Sequence, residues 1–97
     1  MKHNNIRISG KVQRVGFRFA AMQMAYRFGV LGFIQNMKDE SVYIEVEGEE
    51  NAMTHFVGWC YKGPLGSKVE NVEVSAGEMK GFKSFDIVRS KQRAESE

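Results

Sequence analysis

The sequence predicts a single α+β domain, and three observations carry that prediction. Apolar and polar residues alternate over 6–12 and 42–47. Apolar residues recur at helical spacing over 19–28 and 49–61. Turn-forming Gly, Pro and Asp residues fall between these stretches.

The first element is a half-buried strand. Ile6, Ile8 and Val12 lie on one face, and Arg7, Ser9 and Lys11 on the other. Residues 13–18 (QRVGFR) break the alternation. A helix follows, with Gln23 and Arg27 marking a polar stripe. Phe19, Met22, Ala25, Tyr26 and Phe28 form a wide apolar face read as core, and Gly29 is suited to the C-terminal cap. Residues 30–37 read as a mostly buried strand. Lys38-Asp39-Glu40-Ser41 then makes a hairpin connection into a strand with Val42, Ile44 and Val46 facing in and Tyr43, Glu45 and Glu47 facing out.

A second helix spans about Glu49 to Tyr61, with Ala52, Phe56, Trp59 and Cys60 on its apolar side. Gly58 inside it costs about 1 kcal/mol relative to alanine, and Gly63-Pro64 ends it. Val69–Val74 is a fourth strand and Phe85–Val88 a short last one. The order is βαββαβ with a closing strand segment, the ferredoxin-like split-βαβ arrangement. It predicts an antiparallel sheet with two helices packed on one face. Strands one and two are expected to flank helix one through a right-handed crossover. Residues 1–90 make the domain and 91–97 a polar tail.

The chain has 97 residues, of which 27% are charged and 42% hydrophobic. That size suffices for one core, burying roughly 60–65% of the unfolded surface. No apolar run approaches the ~20 residues that span a bilayer, and the first ten residues lack the apolar stretch of a secretory signal. One cysteine, Cys60, has no internal partner. It reads as a small buried hydrophobe in a cytoplasmic protein. The net charge of +2 conceals an asymmetry. Residues 1–38 hold seven Lys or Arg and no Asp or Glu, whereas residues 39–97 hold seven against twelve. Such a basic third suggests an anionic partner, a nucleic acid or a small phosphorylated molecule, unless folding scatters the charges.

Two places could carry chemistry. Residues 13–18 join a strand to a helix, so their N–H groups can form an anion-binding concavity, and Arg18 adds a planar charged fork at its rim. Asn36 ends the second strand, where it either caps the turn or faces a site. No metal site is apparent. His3 falls at a frayed N-terminus, His55 lies on a helix beside Thr54, and neither has a partner at ligand spacing. The sequence also lacks a Ser-His-Asp set, a C-x-x-C and a P-loop.

Gly10-Lys11-Val12-Gln13-Arg14-Val15-Gly16-Phe17-Arg18 resembles the acylphosphatase loop, usually G-x-V-Q-G-V-x-F-R. Gly32-Phe33-Ile34-Gln35-Asn36 with Asp39 and Val42 resembles that family's second motif. Gly48, Gly63-Pro64 and Phe85-x-Ile87 fit its layout, so the resemblance spans about residues 5–89. It implies a metal-independent, cofactor-free hydrolase that cleaves the carboxyl–phosphate bond of acyl phosphates. Gln13, Arg14, Val15, Gly16, Phe17 and Arg18 would form the phosphate-binding loop. Arg18 would bind the phosphoryl group and Asn36 would orient the attacking water. The implied partners are a small acyl phosphate and inorganic phosphate or sulfate, with no nucleic acid or membrane, and the protein is expected to be a monomer. Two residues depart from the pattern. Arg14 and Glu40 stand where glycine is usual, which puts loop geometry and efficiency in question if those positions need positive φ. The alternatives are a non-catalytic anion-binding module, or an RNA-binding one that would stack bases on aromatics of the central strands. The outward residues of strand three, Tyr43, Glu45 and Glu47, hold one aromatic among acids, which disfavours RNA.

Overall fold

The computed structural model describes residues 1–89, so the tail expected at 91–97 lies outside the described residues. The elements run β1 (Lys2–Lys11), α1 (Phe17–Phe28), β2 (Leu31–Asn36), β3 (Val42–Gly48), α2 (Glu50–Lys62), β4 (Lys68–Ala76) and β5 (Phe85–Val88). The sheet order is β4-β1-β3-β2-β5. The first four strands pair antiparallel, as expected. The short β5 pairs parallel with β2, making the sheet mixed. One face of the sheet contributes Ile6, Ile8, Ile34, Val42, Ile44 and Val46. They are buried against Phe17, Ala21 and Ala25 of α1 and Met53, Phe56 and Cys60 of α2.

Strand β1 begins four residues earlier than its side-chain alternation indicates. It is a central strand, with His3 opposite Glu47 on one side and Asn4 opposite Ala76 on the other. Backbone pairing with both neighbours extends it through Asn4 and Asn5, where the side-chain pattern is silent. His3 is therefore not frayed: it is only 3% exposed.

The outer face corrects a second expectation. Tyr43, Glu45 and Glu47 do point away from the helices, but Glu45 is 7% and Glu47 2% exposed. Strands β4 and β5 occupy opposite edges of the sheet, so residues 77–84 must travel from one edge to the other. They cross the outer face. The Glu47 carboxylate accepts the backbone N–H groups of Lys80 (2.5 Å), Gly81 (3.1 Å) and Phe82 (3.2 Å), and bonds His3 Nδ1 at 2.7 Å. Lys80 Nζ donates to Glu45 at 2.8 Å, and Phe82 stacks on His3 and meets Phe33 edge-on. Burial by itself raises the pKa of Glu47. The Lys80 N–H, the His3 ring and the Phe82 and Gly81 N–H groups outweigh it and bring the pKa from 4.5 to about 2.

Helix α1 also differs in detail. Its buried stripe is Phe17, Ala21 and Ala25, at i, i+4, i+8 spacing, with Met22, Met24 and Phe28 alongside. Phe19 and Tyr26, expected in the core, are 57% and 66% exposed. The apolar surface of α1 is wider than the sheet beneath it can cover.

Candidate functional site

The β1–α1 junction is built by backbone geometry. Gly10 (φ 126°) lies where β1 shifts register against β4, and a side chain there would collide with the Lys68 carbonyl. Val12 is buried on the same face as Ile6 and Ile8. Arg14 then adopts φ 62°, the left-handed conformation that costs a non-glycine residue on the order of 1 kcal/mol. Gly16 (φ 76°) is the N-cap of α1, with no side-chain cap. Phe17, buried against Trp59, anchors the first turn. Arg18, one residue on, is half-buried. The Ala20 N–H donates to the Gly16 carbonyl at 3.0 Å, closing the first turn of α1. The N–H groups just before Ala20 belong to the first turn, at the positive end of the helix, where no intrahelical acceptor is available.

Asn36 arrives from the other direction. It is the last residue of β2, paired with Val42 just before the hairpin turn. Both β1 and β2 run antiparallel to β3, so their C-terminal ends lie together. Gln13 ties them. Its side-chain amide donates to the carbonyls of Met37 and Ser41, both at 2.9 Å. The turn itself is held by Asp39, which accepts the N–H (3.0 Å) and hydroxyl (2.5 Å) of Ser41, and by Arg7, which donates to the Ser41 hydroxyl (3.0 Å). Glu40 sits at φ 77°, the position where the resemblance places glycine.

The result is a small cavity of about 160 Å³ lined by Val12, Arg14, Gly16, Phe17, Arg18, Phe19, Asn36, Ile87 and Arg89. That is below the ~300–1,000 Å³ of pockets for larger ligands. Arg14, Gly16, Phe17 and Arg18 of the sequence-derived loop therefore line one cavity together with Asn36. Gln13 and Val15 do not: Gln13 braces the hairpin and Val15 packs on the core. Asn36 Oδ1 is buried and has no hydrogen-bond partner among the described residues. Two of the seven cations of the basic first third, Arg14 and Arg18, meet at the cavity. Arg7 is spent on Asp39 (3.5 Å) and the face of Tyr43.

Two lining residues were not singled out from the sequence. The helical pattern puts Phe19 in the core, yet it stands exposed at the mouth. Arg89 follows β5, and the parallel pairing of β5 with β2 (Gln35 opposite Val88) brings it to the same end of the sheet as Asn36. The short run Phe85-x-Ile87 predicts a strand, but nothing local in it reveals a parallel register. Partial burial, and then the charge of Arg89, lower the pKa of the Arg18 guanidinium. Elsewhere, burial pushes the Cys60 thiol pKa up, consistent with a core residue. Among the described residues no group of three or more His, Cys, Asp or Glu is placed to hold a metal ion, and no helix is long and apolar enough to cross a membrane.

Comparison with known proteins decides the family. Residues 4–87 match the acylphosphatase family profile. The chain belongs to the acylphosphatase family. It is 42% identical over 87 residues to an acylphosphatase of Thermotoga petrophila, covering 90% of this chain and 97% of that one. Its fold superposes on the crystal structure of the Bacillus subtilis acylphosphatase with a TM-score of 0.88 at 35% identity, covering 91% and 99% of the two chains. The acylphosphatase fold also occurs inside a larger chain. Full-length HypF in its phosphate- and nucleotide-bound form matches with a TM-score of 0.84 at 34% identity, over 90% of this chain and 12% of that one.

Proposed function

We propose that this protein hydrolyses acyl phosphates to a carboxylate and inorganic phosphate, without a metal, in the cavity between the β1–α1 junction and the end of β2. What carries this is the meeting of Arg18 and Asn36 at one small cavity, with a buried Asn36 Oδ1 that has no hydrogen-bond partner among the described residues. An unmet buried acceptor costs about 1–3 kcal/mol, and a water held against a bound phosphoryl group would meet it.

The chemistry fits the residue inventory. The N–H groups at the start of α1 and the Arg18 fork hold the phosphoryl oxygens and stabilise the charge they carry in a loose transition state. Asn36 accepts a hydrogen bond from the water and aims its oxygen at phosphorus. The new P–O bond forms from the water as the P–O bond to the acyl carboxylate breaks. The proton of the water passes to a phosphoryl oxygen of the substrate. The leaving carboxylate is the conjugate base of an acid of pKa about 4, so no general acid is required. The face on which an RNA-binding domain of this topology would stack bases is crossed by residues 77–84 and carries the buried carboxylates of Glu45 and Glu47, which also favours a small-anion site over a polyanion surface.

The test is release of phosphate from benzoyl phosphate in excess chelator. Turnover undiminished by chelator is expected. Absence of release above background by the folded protein would leave an anion-binding module without catalysis.

A further inference from the structure

Strand β4 ends the sheet on the side away from the cavity, and no strand pairs with its outer side among the described residues. Its pairing with β1 fixes which of its backbone groups are free. The Gly77 N–H donates to the His3 carbonyl at 3.0 Å. Hydrogen-bonded pairs alternate along an antiparallel ladder, so Asn5–Ser75, Arg7–Glu73 and Ser9–Asn71 carry the bonds to β1. Val72, Val74 and Ala76 therefore turn their N–H and C=O groups to the open edge.

A groove lies on each face of this edge. On the helix side, a groove of about 510 Å³ is walled by Val57, Gly58 and Tyr61 of α2 and by Val74, with Lys2 and Glu50 at one end. Gly58 weakens the helix relative to alanine, yet a side chain there would meet nothing within 4 Å. No contact within the described residues requires a glycine at this position, and its effect is to leave the groove open. On the outer face, a groove of about 210 Å³ holds Tyr43, Glu73 and Ser75. Glu73 forms no ion pair among the described residues. Its Oε2 accepts from Asn71 Nδ2 at 3.3 Å, and Arg7, opposite it in the ladder, is engaged by Asp39 and Ser41.

A strand added to β4 would place alternate side chains in these two grooves. We infer that the β4 edge binds an extended peptide segment of a partner protein, with apolar residues facing α2 and lysine or arginine between them. Main-chain bonds to Val72, Val74 and Ala76 supply the affinity, and a cation beside Glu73 on the outer face supplies the selectivity. A second copy of β4 is a poorer occupant. Glu70 and Glu73 outnumber Lys68 on each copy, so self-pairing gathers like charge.

The probe is a fluorescein-labelled heptapeptide of alternating valine and lysine. It is compared with the valine–glutamate counterpart and with a lysine peptide N-methylated on its valines, which cannot donate to β4. Fluorescence anisotropy at fixed ionic strength is expected to show the lysine peptide binding about tenfold or more tighter than either. Amide shifts in nitrogen–proton correlation spectra are expected to concentrate on Val72, Val74 and Ala76. Gly58→Leu fills the groove and favours the helix, so it is expected to weaken binding about tenfold without lowering the melting temperature. Glu73→Lys is expected to turn the preference toward the glutamate peptide. Equal binding of the two charge forms by the wild type would overturn the inference, as would equal binding of the N-methylated peptide or amide shifts that fall away from β4. Self-association of the protein alone that shifts the same amides would also overturn it, by assigning the edge to a second copy.

Discussion

In the proposed mechanism Arg18 and Asn36 have separable tasks, and single substitutions distinguish them. Arg18 touches the cavity and lies outside the buried stripe of α1. Arg18→Ala is expected to abolish turnover while leaving the melting temperature within a few degrees, read by thermal unfolding beside the assay. Arg18→Lys is expected to fail nearly as badly, because an ammonium cannot replace a bidentate fork. Arg14 and Glu40 are a different case. Each is a non-glycine residue at positive φ, so Arg14→Gly and Glu40→Gly should each raise stability by about 1 kcal/mol in denaturant titrations. Gln13 acts through others, tying the turn after Asn36 to the loop. Gln13→Leu is expected to lower kcat more than phosphate affinity, since the loop N–H groups stay in place while Asn36 loses its brace. Much at this scale was legible in the sequence. The two motifs named Arg14, Gly16, Phe17, Arg18 and Asn36, which meet at the cavity, along with Gln13 and Val15, which do not line it, and the departures at Arg14 and Glu40 marked both positions of positive φ. Arg89 and Phe19 were not legible: one depends on the register of β5 and the other on how much of α1 the sheet covers.

Among the elements, the connection from β4 to β5 is the one whose stability should depend most on pH. Glu47 is buried, and its pKa falls from 4.5 to about 2 because three backbone N–H groups and His3 bind the ionised form. A group whose pKa is depressed on folding contributes stability that is complete above its unfolded pKa and is lost as pH falls through the folded one. The contribution of Glu47 is therefore full above about pH 5 and disappears between about 4.5 and 2. Glu47→Gln is expected to destabilise the domain at pH 7 and to flatten the pH dependence of its melting temperature across that window. Glu47→Ala should cost about 3 kcal/mol, because it leaves three part-buried N–H donors and the buried His3 without their acceptor. An unchanged acid slope in Glu47→Gln would show that another carboxylate governs it. The sequence revealed that Glu45 and Glu47 share a face, since alternation sets the side of a strand. It did not reveal that the face is covered, because the cover is a loop that lies some thirty residues further along.

For the whole molecule, the order of elements and the antiparallel core of the sheet follow from local patterns, whereas the site is a product of topology. β1 and β2 are not neighbours, since β3 lies between them. The cavity exists because both run the same way past β3 and release their chains at one end. Small anions should therefore stabilise the entire cooperative unit. Inorganic phosphate and sulfate are expected to raise the melting temperature and inhibit competitively, more than chloride at equal ionic strength. Equal effects of the three salts would indicate general screening. In the proposed mechanism Asn36 orients water over a phosphoryl group that Arg18 and the α1 N–H groups hold. The most direct measurement is kcat together with phosphate affinity for folded Asn36→Ala. There kcat is expected to fall by orders of magnitude, because aligning a reactant can supply several kcal/mol of a barrier. Phosphate affinity should change by less than about tenfold, since Arg18 and the N–H groups remain. A near-normal kcat in the folded variant would contradict it and return Asn36 to a turn-capping role.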